Sequence, residues 1–227
     1  MLGGPCRYIQ VVDERDLAEL RREYATEGLH EDDVPADPLA MFRRWMHDAV
    51  IAGLYEPNAM VLTTVSASGA PSARMVLLKG IDERGFGFYT NYGSRKGNDL
   101  AVRPACALLF PWHPLERQVR IEGTATPMTR EENQAYFDTR PRPSRVGAWA
   151  SPQSEVVSSR EVLDSAYDAV AARFGRDEPI PVPPHWGGYR VRPDSLGFWQ
   201  GRPGRMHDRL RYRRTSSDGW VVERLAP

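Results

Sequence analysis

Phe198-Trp199-Gln200-Gly201, followed closely by Arg205-Met206-His207-Asp208-Arg209, sets an indole, an amide, two guanidiniums and an imidazole in one short stretch. Such a set suits a planar, anionic ligand. The aromatic and the glycine admit a flat ring, and the arginine forks match phosphate or carboxylate oxygens bidentately. Like charge disfavours the protonated form of an imidazole between arginines, so His207 is expected to stay neutral near physiological pH and to be available for acid-base work. The bland alternative is a strand end with solvated basic residues.

Other clusters repeat the anionic theme. In Arg74-Met75-Val76-Leu77-Leu78-Lys79, strand alternation puts Arg74, Val76 and Leu78 on one face and Met75, Leu77 and Lys79 on the other. Tyr89-Thr90-Asn91 leads to Gly93-Ser94-Arg95-Lys96, which reads either as a capped helix start with surface cations or as a turn cradling a phosphate. Gln118 is an amide able to donate and accept at the edge of a heteroaromatic ring, whereas Trp112 and His113 read as a strand end and loop. Tyr136, Arg140 and Ser144 recur at four-residue intervals, with Pro141 breaking the helix before Ser144, and form a second anion-friendly set. Trp149 and Gln153-Ser154 fall in an expected loop, where the polar pair either binds a ligand or caps the next segment. Two separate phosphate-friendly sets point to two phosphorylated molecules lying side by side. Gly85-Phe86-Gly87-Phe88 has Thr90 where a dinucleotide fingerprint needs its third glycine, so a Rossmann reading is rejected.

The elements that must position these residues belong to a single expected domain, since 227 residues suffice for one substantial core. Basic and acidic residues balance at 30 each, which argues against a nucleic-acid partner. Cys6 and Cys106 are too few for a disulfide framework, no spacing suggests a metal, and neither a leader nor a long apolar run is apparent. A cytoplasmic setting without membrane insertion is expected. Residues 13–24 read as a short peripheral helix. Asp37-Pro38 opens a better one, with Leu39, Phe42, Trp45, Met46 and Ala49 on one face and Gly53 at its end.

From Met60 the period changes. Strands are expected at 60–65, 73–81, 86–90, 105–110 and 119–125, and later at 188–191, 196–200, 209–213 and 220–225. Helices are expected at 129–139, capped by Thr129 with Glu132 three residues on, and at 159–174; the proline-rich stretch 177–184 forms an irregular arm. Short strands at this spacing predict a mainly β chain with peripheral helices, built as an antiparallel barrel.

These blocks, in order, resemble the pyridoxine/pyridoxamine 5'-phosphate oxidase family. The resemblance runs from Leu20-Arg21-Arg22-Glu23-Tyr24 and Pro35-Ala36-Asp37-Pro38 through Arg74 to Lys79, Tyr89-Thr90-Asn91 and Ser94-Arg95-Lys96. It continues through Phe110-Pro111-Trp112, Leu115-Glu116-Arg117-Gln118, Arg140-Pro141-Arg142, Gly147-Ala148-Trp149 and Gln153-Ser154. Trp186-Gly187-Gly188, Phe198 to Arg209 and the ending Glu223-Arg224-Leu225-Ala226-Pro227 complete it, so it spans roughly residues 20 to 227.

The resemblance implies an FMN-binding split β-barrel acting as a homodimer, with FMN at the subunit interface. Its implied activity is oxidation of pyridoxamine and pyridoxine 5'-phosphate to pyridoxal 5'-phosphate. Hydride passes from substrate C4' to flavin N5, and O2 is reduced to H2O2. It implies FMN contacts from Arg74, Met75, Val76, Leu77, Leu78, Lys79, Tyr89, Thr90, Arg95, Lys96, Gln118, Gln153, Ser154, Trp199 and Arg209. Lys79, Tyr136, Arg140 and Ser144 are implied to hold the substrate phosphate, with Arg205, Met206 and His207 at its ring and Arg205 and His207 acting in catalysis. Arg21, Arg22, Glu23 and Tyr24 are implied to form a flap in a partly mobile segment 1–34, while 177–227 completes the active site. Two departures stand out: Gly197 occupies a position where the family usually has Glu, and Pro203 stiffens the following loop. The alternatives are a flavin or deazaflavin reductase of the same fold and a noncatalytic flavin or pyridoxal-phosphate binding protein.

Overall fold

The computed structural model describes residues 28–176 and 178–227. The expected helix at 13–24, and with it Arg21, Arg22, Glu23 and Tyr24, lies outside the described residues. Helix α1 (Pro38–Ile51) starts as its sequence dictates: the Asp37 carboxylate accepts from the N–H groups of Leu39 and Ala40, and Pro38 sits where no backbone bond is lost. After the C-cap at Ala52, Gly53 takes a φ of 69°, a left-handed conformation that glycine adopts without strain.

Among the described residues nine strands follow: β1 (Ala59–Val65), β2 (Pro71–Leu77), β3 (Gly80–Asp82), β4 (Gly85–Asn91), β5 (Ala105–Trp112), β6 (Arg117–Pro127), β7 (Trp186–Gln200), β8 (Asp208–Arg214) and β9 (Trp220–Arg224). All pair antiparallel, in the order β2-β1-β5-β6-β7-β4-β3, with β8 on β7 and β9 on β8. The fold is a mainly β split barrel. Its split is visible in β7. One edge of β7 pairs with β6 from Tyr189 to Gln200, so β4 (at 186–191) and β8 (at 195–200) must share the other edge end to end. Between those two stretches the β6–β7 register shifts at Glu122/Gly123, a bulge that bends the strand where its partner changes.

Helix α1 packs its apolar face into the core formed with the strands. Phe42 packs edge-on against Phe86 and Phe110 at ring-centroid distances of 5.0 and 4.9 Å, and Trp45 against Phe198 at 5.2 Å. Met41 joins that buried face, whereas Met46 is only half-buried. Four more helices, α2 (Arg95–Val102), α3 (Arg130–Thr139), α4 (Arg142–Ala150) and α5 (Arg160–Arg173), lie among the described residues. A separate apolar cluster of Phe137, Val146, Phe174, Ile180 and Trp186 anchors the last three of these beside the barrel.

Three expectations need correction. The run 73–81 is not one strand: Leu78 and Lys79 interrupt it, with the Leu78 N–H donating to Asn58 O and the Lys79 N–H to Gly87 O, so the chain leaves β1's edge for β4's. Arg74 and Lys79 therefore do not lie on the two faces of a single strand. Conversely, 188–191 and 196–200 are parts of one 15-residue strand, because the bulge absorbs Pro193, which has no N–H to donate to a ladder. Finally, Trp149 lies in helix α4 and not in a loop; Pro141 ends one helix and starts the next, where its missing N–H costs nothing.

Candidate active site

A cavity of about 640 Å3 opens between β2, β4 and helices α2 to α4. On its α2 side, Ser94 caps the helix by accepting from the Gly97 N–H, as a capped start requires. The neighbouring lysine is not a surface cation, however. Lys96 is 8% exposed, and its Nζ donates to Gln153 Oε1 at 2.7 Å and to Ser94 Oγ at 3.2 Å, while Thr90 Oγ1 donates to the same Gln153 oxygen at 3.2 Å. Burial, with the like charge of Arg74 adding to it, lowers the Lys96 ammonium to about 8.

Arg74 is held from behind. Its Nη1 donates to Thr64 Oγ1 at 2.7 Å and its Nη2 to Ser72 Oγ at 2.8 Å. The buried Asp99 carboxylate accepts from Thr64 Oγ1 at 2.6 Å and lies 3.9 Å from Arg74 Nη2. Burial lowers the Arg74 pKa and the charge of Asp99 opposes that shift. Helix α2 thus contributes a cation to the cavity at Lys96 and, one turn on, the carboxylate that backs Arg74.

The opposite wall is aromatic. Tyr89 stacks on Tyr136 at 3.8 Å and on Trp186 at 5.3 Å, with the rings within 11° of parallel. The Arg140 guanidinium lies 4.7 Å from the Trp186 ring centre, and its buried Nη1 has no hydrogen-bond partner among the described residues. Burial lowers the Arg140 pKa and raises that of the Tyr136 phenol. Ser144, in the first turn of α4, completes this side. Arg74, Lys79, Lys96 and Arg140 all line the cavity, and no carboxylate among the described residues does. An orphaned guanidinium N–H, a surplus of cations and a flat aromatic wall fit an anionic, ring-bearing ligand such as a phosphorylated flavin or pyridine.

The structure brings together Arg74, Met75, Val76, Leu77, Lys79, Tyr89, Thr90, Lys96, Tyr136, Arg140, Ser144 and Gln153. The two phosphate-friendly sets, expected to be separate, share this one cavity. Leu78 is buried in the core instead, Arg95 points to solvent, and Ser154, with a φ of 77°, is exposed beside Gln153. Asn91, Ser151, Gly147, Ala148 and Trp186 also line the cavity, although their residue types alone did not single them out. Asn91 and Trp186 belong to the sequence blocks that carry the family resemblance, but only pairing of β4 with β7 places them opposite each other.

Gln118, Trp199 and Arg209 lie elsewhere, in a second cavity of about 260 Å3 shared with Arg120, Gly197 and Arg211. Gly197 sits in register between Arg120 on β6 and Arg211 on β8, and a Cβ there would meet nothing closer than Arg120 O at 3.9 Å. Arg205, Met206 and His207 occupy the loop after β7. Gly204 and Arg205 both adopt left-handed φ values, 63° and 61°. The Arg202 N–H donates to His207 Nδ1 at 3.1 Å, which leaves the ring proton on Nε2, and the imidazole lies 4.7 Å from the Trp199 ring centre.

Barrel, split and cation-lined cavity together define the class of split β-barrel proteins to which FMN-binding oxidoreductases belong. Residues 46–174 match the family described as pyridoxamine 5'-phosphate oxidase, and residues 186–227 match the pyridoxine 5'-phosphate oxidase C-terminal dimerisation region. The chain belongs to the pyridoxamine 5'-phosphate oxidase family and is an oxidoreductase. It is 59% identical to a pyridoxine/pyridoxamine 5'-phosphate oxidase of Nocardioides sp., over 93% of this chain and 98% of that one. It is 58% identical to that of Salinibacter ruber, over 93% and 99%. Among solved structures, PhzG from Burkholderia lata, in complex with tetrahydrophenazine-1-carboxylic acid, superposes with a TM-score of 0.82 at 33% identity, covering 88% of this chain and 98% of that one. A pyridoxamine 5'-phosphate oxidase-related FMN-binding protein from Nostoc punctiforme shares the fold, with a TM-score of 0.68 at 17% identity over 86% and 100% of the two chains.

Proposed function

We propose that the protein oxidises pyridoxamine and pyridoxine 5'-phosphate to pyridoxal 5'-phosphate, using FMN and O2 and releasing H2O2. The observation that carries this reading is the single cavity in which Lys96, Arg74 and Gln153 face Tyr136, Arg140 and Ser144. Lys96, Arg74, Thr90 and Gln153 would hold the cofactor, whose isoalloxazine, when bound, accepts the two electrons leaving substrate C4' and delivers them to O2. Lys79, Tyr136, Arg140 and Ser144 hold the substrate phosphate, where each charge-assisted hydrogen bond contributes about 1.5 to 3 kcal/mol. Fixing the reacting carbon in place contributes on the order of 7 to 11 kcal/mol towards the barrier.

Arg205 and His207 address the pyridine ring, with Arg205 steering it and His207 donating from Nε2. These two, with Gln118, Trp199 and Arg209, come from the partner of a homodimer and complete each site at the subunit interface. The placement of Gln118, Trp199 and Arg209 in a different cavity from Lys96 and Arg140, and the match of 186–227 to a dimerisation region, support that arrangement.

The test is direct. Purified protein is expected to carry FMN absorbance, or to take it up, and to form H2O2 from both phosphorylated vitamers. Arg205→Ala and His207→Ala are expected to lower kcat/KM for pyridoxine phosphate roughly 10²-fold or more, the size of a positioned acid-base contribution. A chain that stays colourless in excess FMN, or variants with unchanged kcat/KM, overturns the reading. The relative seen with a tricyclic carboxylate supports a second reading, oxidation of another flat anion on the same scaffold. Peroxide formed from such a carboxylate and not from the vitamers would select it.

A further inference from the structure

Asp208 opens β8 opposite Gln200, directly after the loop that carries Arg205 and His207. Its side chain is 15% exposed and joins three parts of the chain. Oδ2 accepts the Leu29 N–H at 2.9 Å, Oδ1 accepts from Arg224 Nη1 at 2.6 Å, and Arg202 Nε lies 3.7 Å from Oδ2. Arg224 closes the circle: its Nη2 donates to Leu29 O at 2.8 Å, and its guanidinium grips Glu31 at 2.6 and 2.7 Å. The Leu29 peptide is therefore held at both its N–H and its C=O, while the Leu29 side chain is buried in the core. Burial alone would raise the Asp208 carboxyl, but the hydrogen bonds from Leu29 and Arg224 hold it below its ordinary value.

The loop hangs on the same clamp. Arg202 faces Asp208 with its side chain and fixes Nδ1 of His207 with its backbone N–H. The absence of a side chain at Gly28 makes room for that guanidinium, since a Cβ there would overlap Arg202 Nη1. We propose that Asp208 is a positioning residue: by tying Arg202 to the Leu29 peptide and to Arg224, it sets the loop so that His207 presents its Nε2–H in one tautomer and one orientation. The inference rests on the reading that His207 addresses the substrate. It assigns Asp208 no contact with substrate or cofactor. A negative charge at this point does what a neutral amide cannot, because it faces two guanidiniums and a backbone N–H at once.

The test uses FMN-loaded protein with pyridoxine 5'-phosphate. Asp208→Asn is expected to lower kcat roughly tenfold, to leave the FMN dissociation constant within about twofold of wild type, and to add little to the loss caused by His207→Ala when the two are combined. Long-range nitrogen NMR spectra of the His207 ring are expected to show the Nε2–H tautomer in the wild type and a mixture in Asp208→Asn. Gly28→Ala, which displaces Arg202 from the other side, is expected to reproduce both signatures, and it serves as the test should Asp208→Asn not fold. Unchanged kcat and an unchanged tautomer in the folded variants overturn the proposal. So does a loss in Asp208→Asn that multiplies fully with that of His207→Ala. If His207→Ala itself has no effect, the functional reading fails, a result separable from failure of the clamp because the tautomer measurement requires no turnover.

Discussion

Lys96 Nζ and Gln153 Oε1 lie 2.7 Å apart, a buried ammonium held by a neutral amide and a serine hydroxyl, with no carboxylate bonded to it among the described residues. The charge is thus desolvated without an opposing charge, and a bound phosphate dianion supplies what the ligand-free protein lacks. Lys96→Met is expected to weaken FMN binding roughly 10- to 100-fold, equivalent to one charge-assisted hydrogen bond. Fluorescence titration of FMN checks it.

The same pair predicts a pH dependence of opposite sign in the two states. In the ligand-free fold Lys96 loses its proton around pH 8, below the ordinary lysine value of 10.5, so between these two the unfolded chain binds more protons and this group's contribution to stability rises with pH. A bound phosphate favours the ammonium, so FMN affinity is expected to fall as pH rises through about 8. Denaturant titrations without ligand and FMN titrations, both across roughly pH 7.5 to 10, check the pair of trends, a window that starts just below the folded value of about 8 and stays under the ordinary 10.5. Parallel slopes would count against a buried Lys96 that lacks a carboxylate.

Asp99 stands behind Arg74 with Thr64 between them. Asp99→Ala removes a buried acceptor and leaves the Thr64 hydroxyl and a half-buried guanidinium short of a partner, and is expected to cost about 3 kcal/mol of stability. Asp99→Asn, which keeps an acceptor for Thr64, is expected to cost less than half of that while weakening FMN binding through a displaced Arg74. Urea unfolding and FMN titration separate the two effects.

Tyr136 belongs to the aromatic stack, and the charge of Arg140 acts on its phenol. Tyr136→Phe keeps the ring on Tyr89 and removes only the hydroxyl. It is expected to raise KM for the vitamer phosphates about tenfold with little change in kcat. Tyr136→Ala also loses the stack, about 1 kcal/mol, and should lower thermal stability as well. Steady-state kinetics beside melting curves decide between these outcomes.

Gly97 presses against the Tyr92 carbonyl so closely that a Cβ would overlap it. Gly97→Ala is expected to push the start of α2 outward and carry Lys96 with it, lowering stability by about 2 to 3 kcal/mol and weakening FMN binding together. An alanine variant with wild-type melting and FMN affinity would contradict this close approach.

Much of this molecule was legible along the chain because the forces involved are local. The Asp37 cap with Pro38, the capping box of Thr129 and Glu132, and the switch from a helical to a strand period each act within a few residues, so sequence alone determined most element types and the mainly β class. It also determined the chemistry at hand, since arginines, lysines, tyrosines and a histidine in ordered blocks carried the family. Burial and proximity were not legible, because they arise between residues far apart in the chain. Thr64 meets Asp99 35 residues away, Lys96 meets Gln153 57 residues away, and Leu29 meets Asp208 179 residues away. Only the tertiary structure turned a surface lysine into a buried one, merged two anion sets into one cavity, and placed Gln118, Trp199 and Arg209 in another. The physical reason is the shared edge of β7: β4 on its first half and β8 on its second send the two groups of side chains to different parts of one sheet.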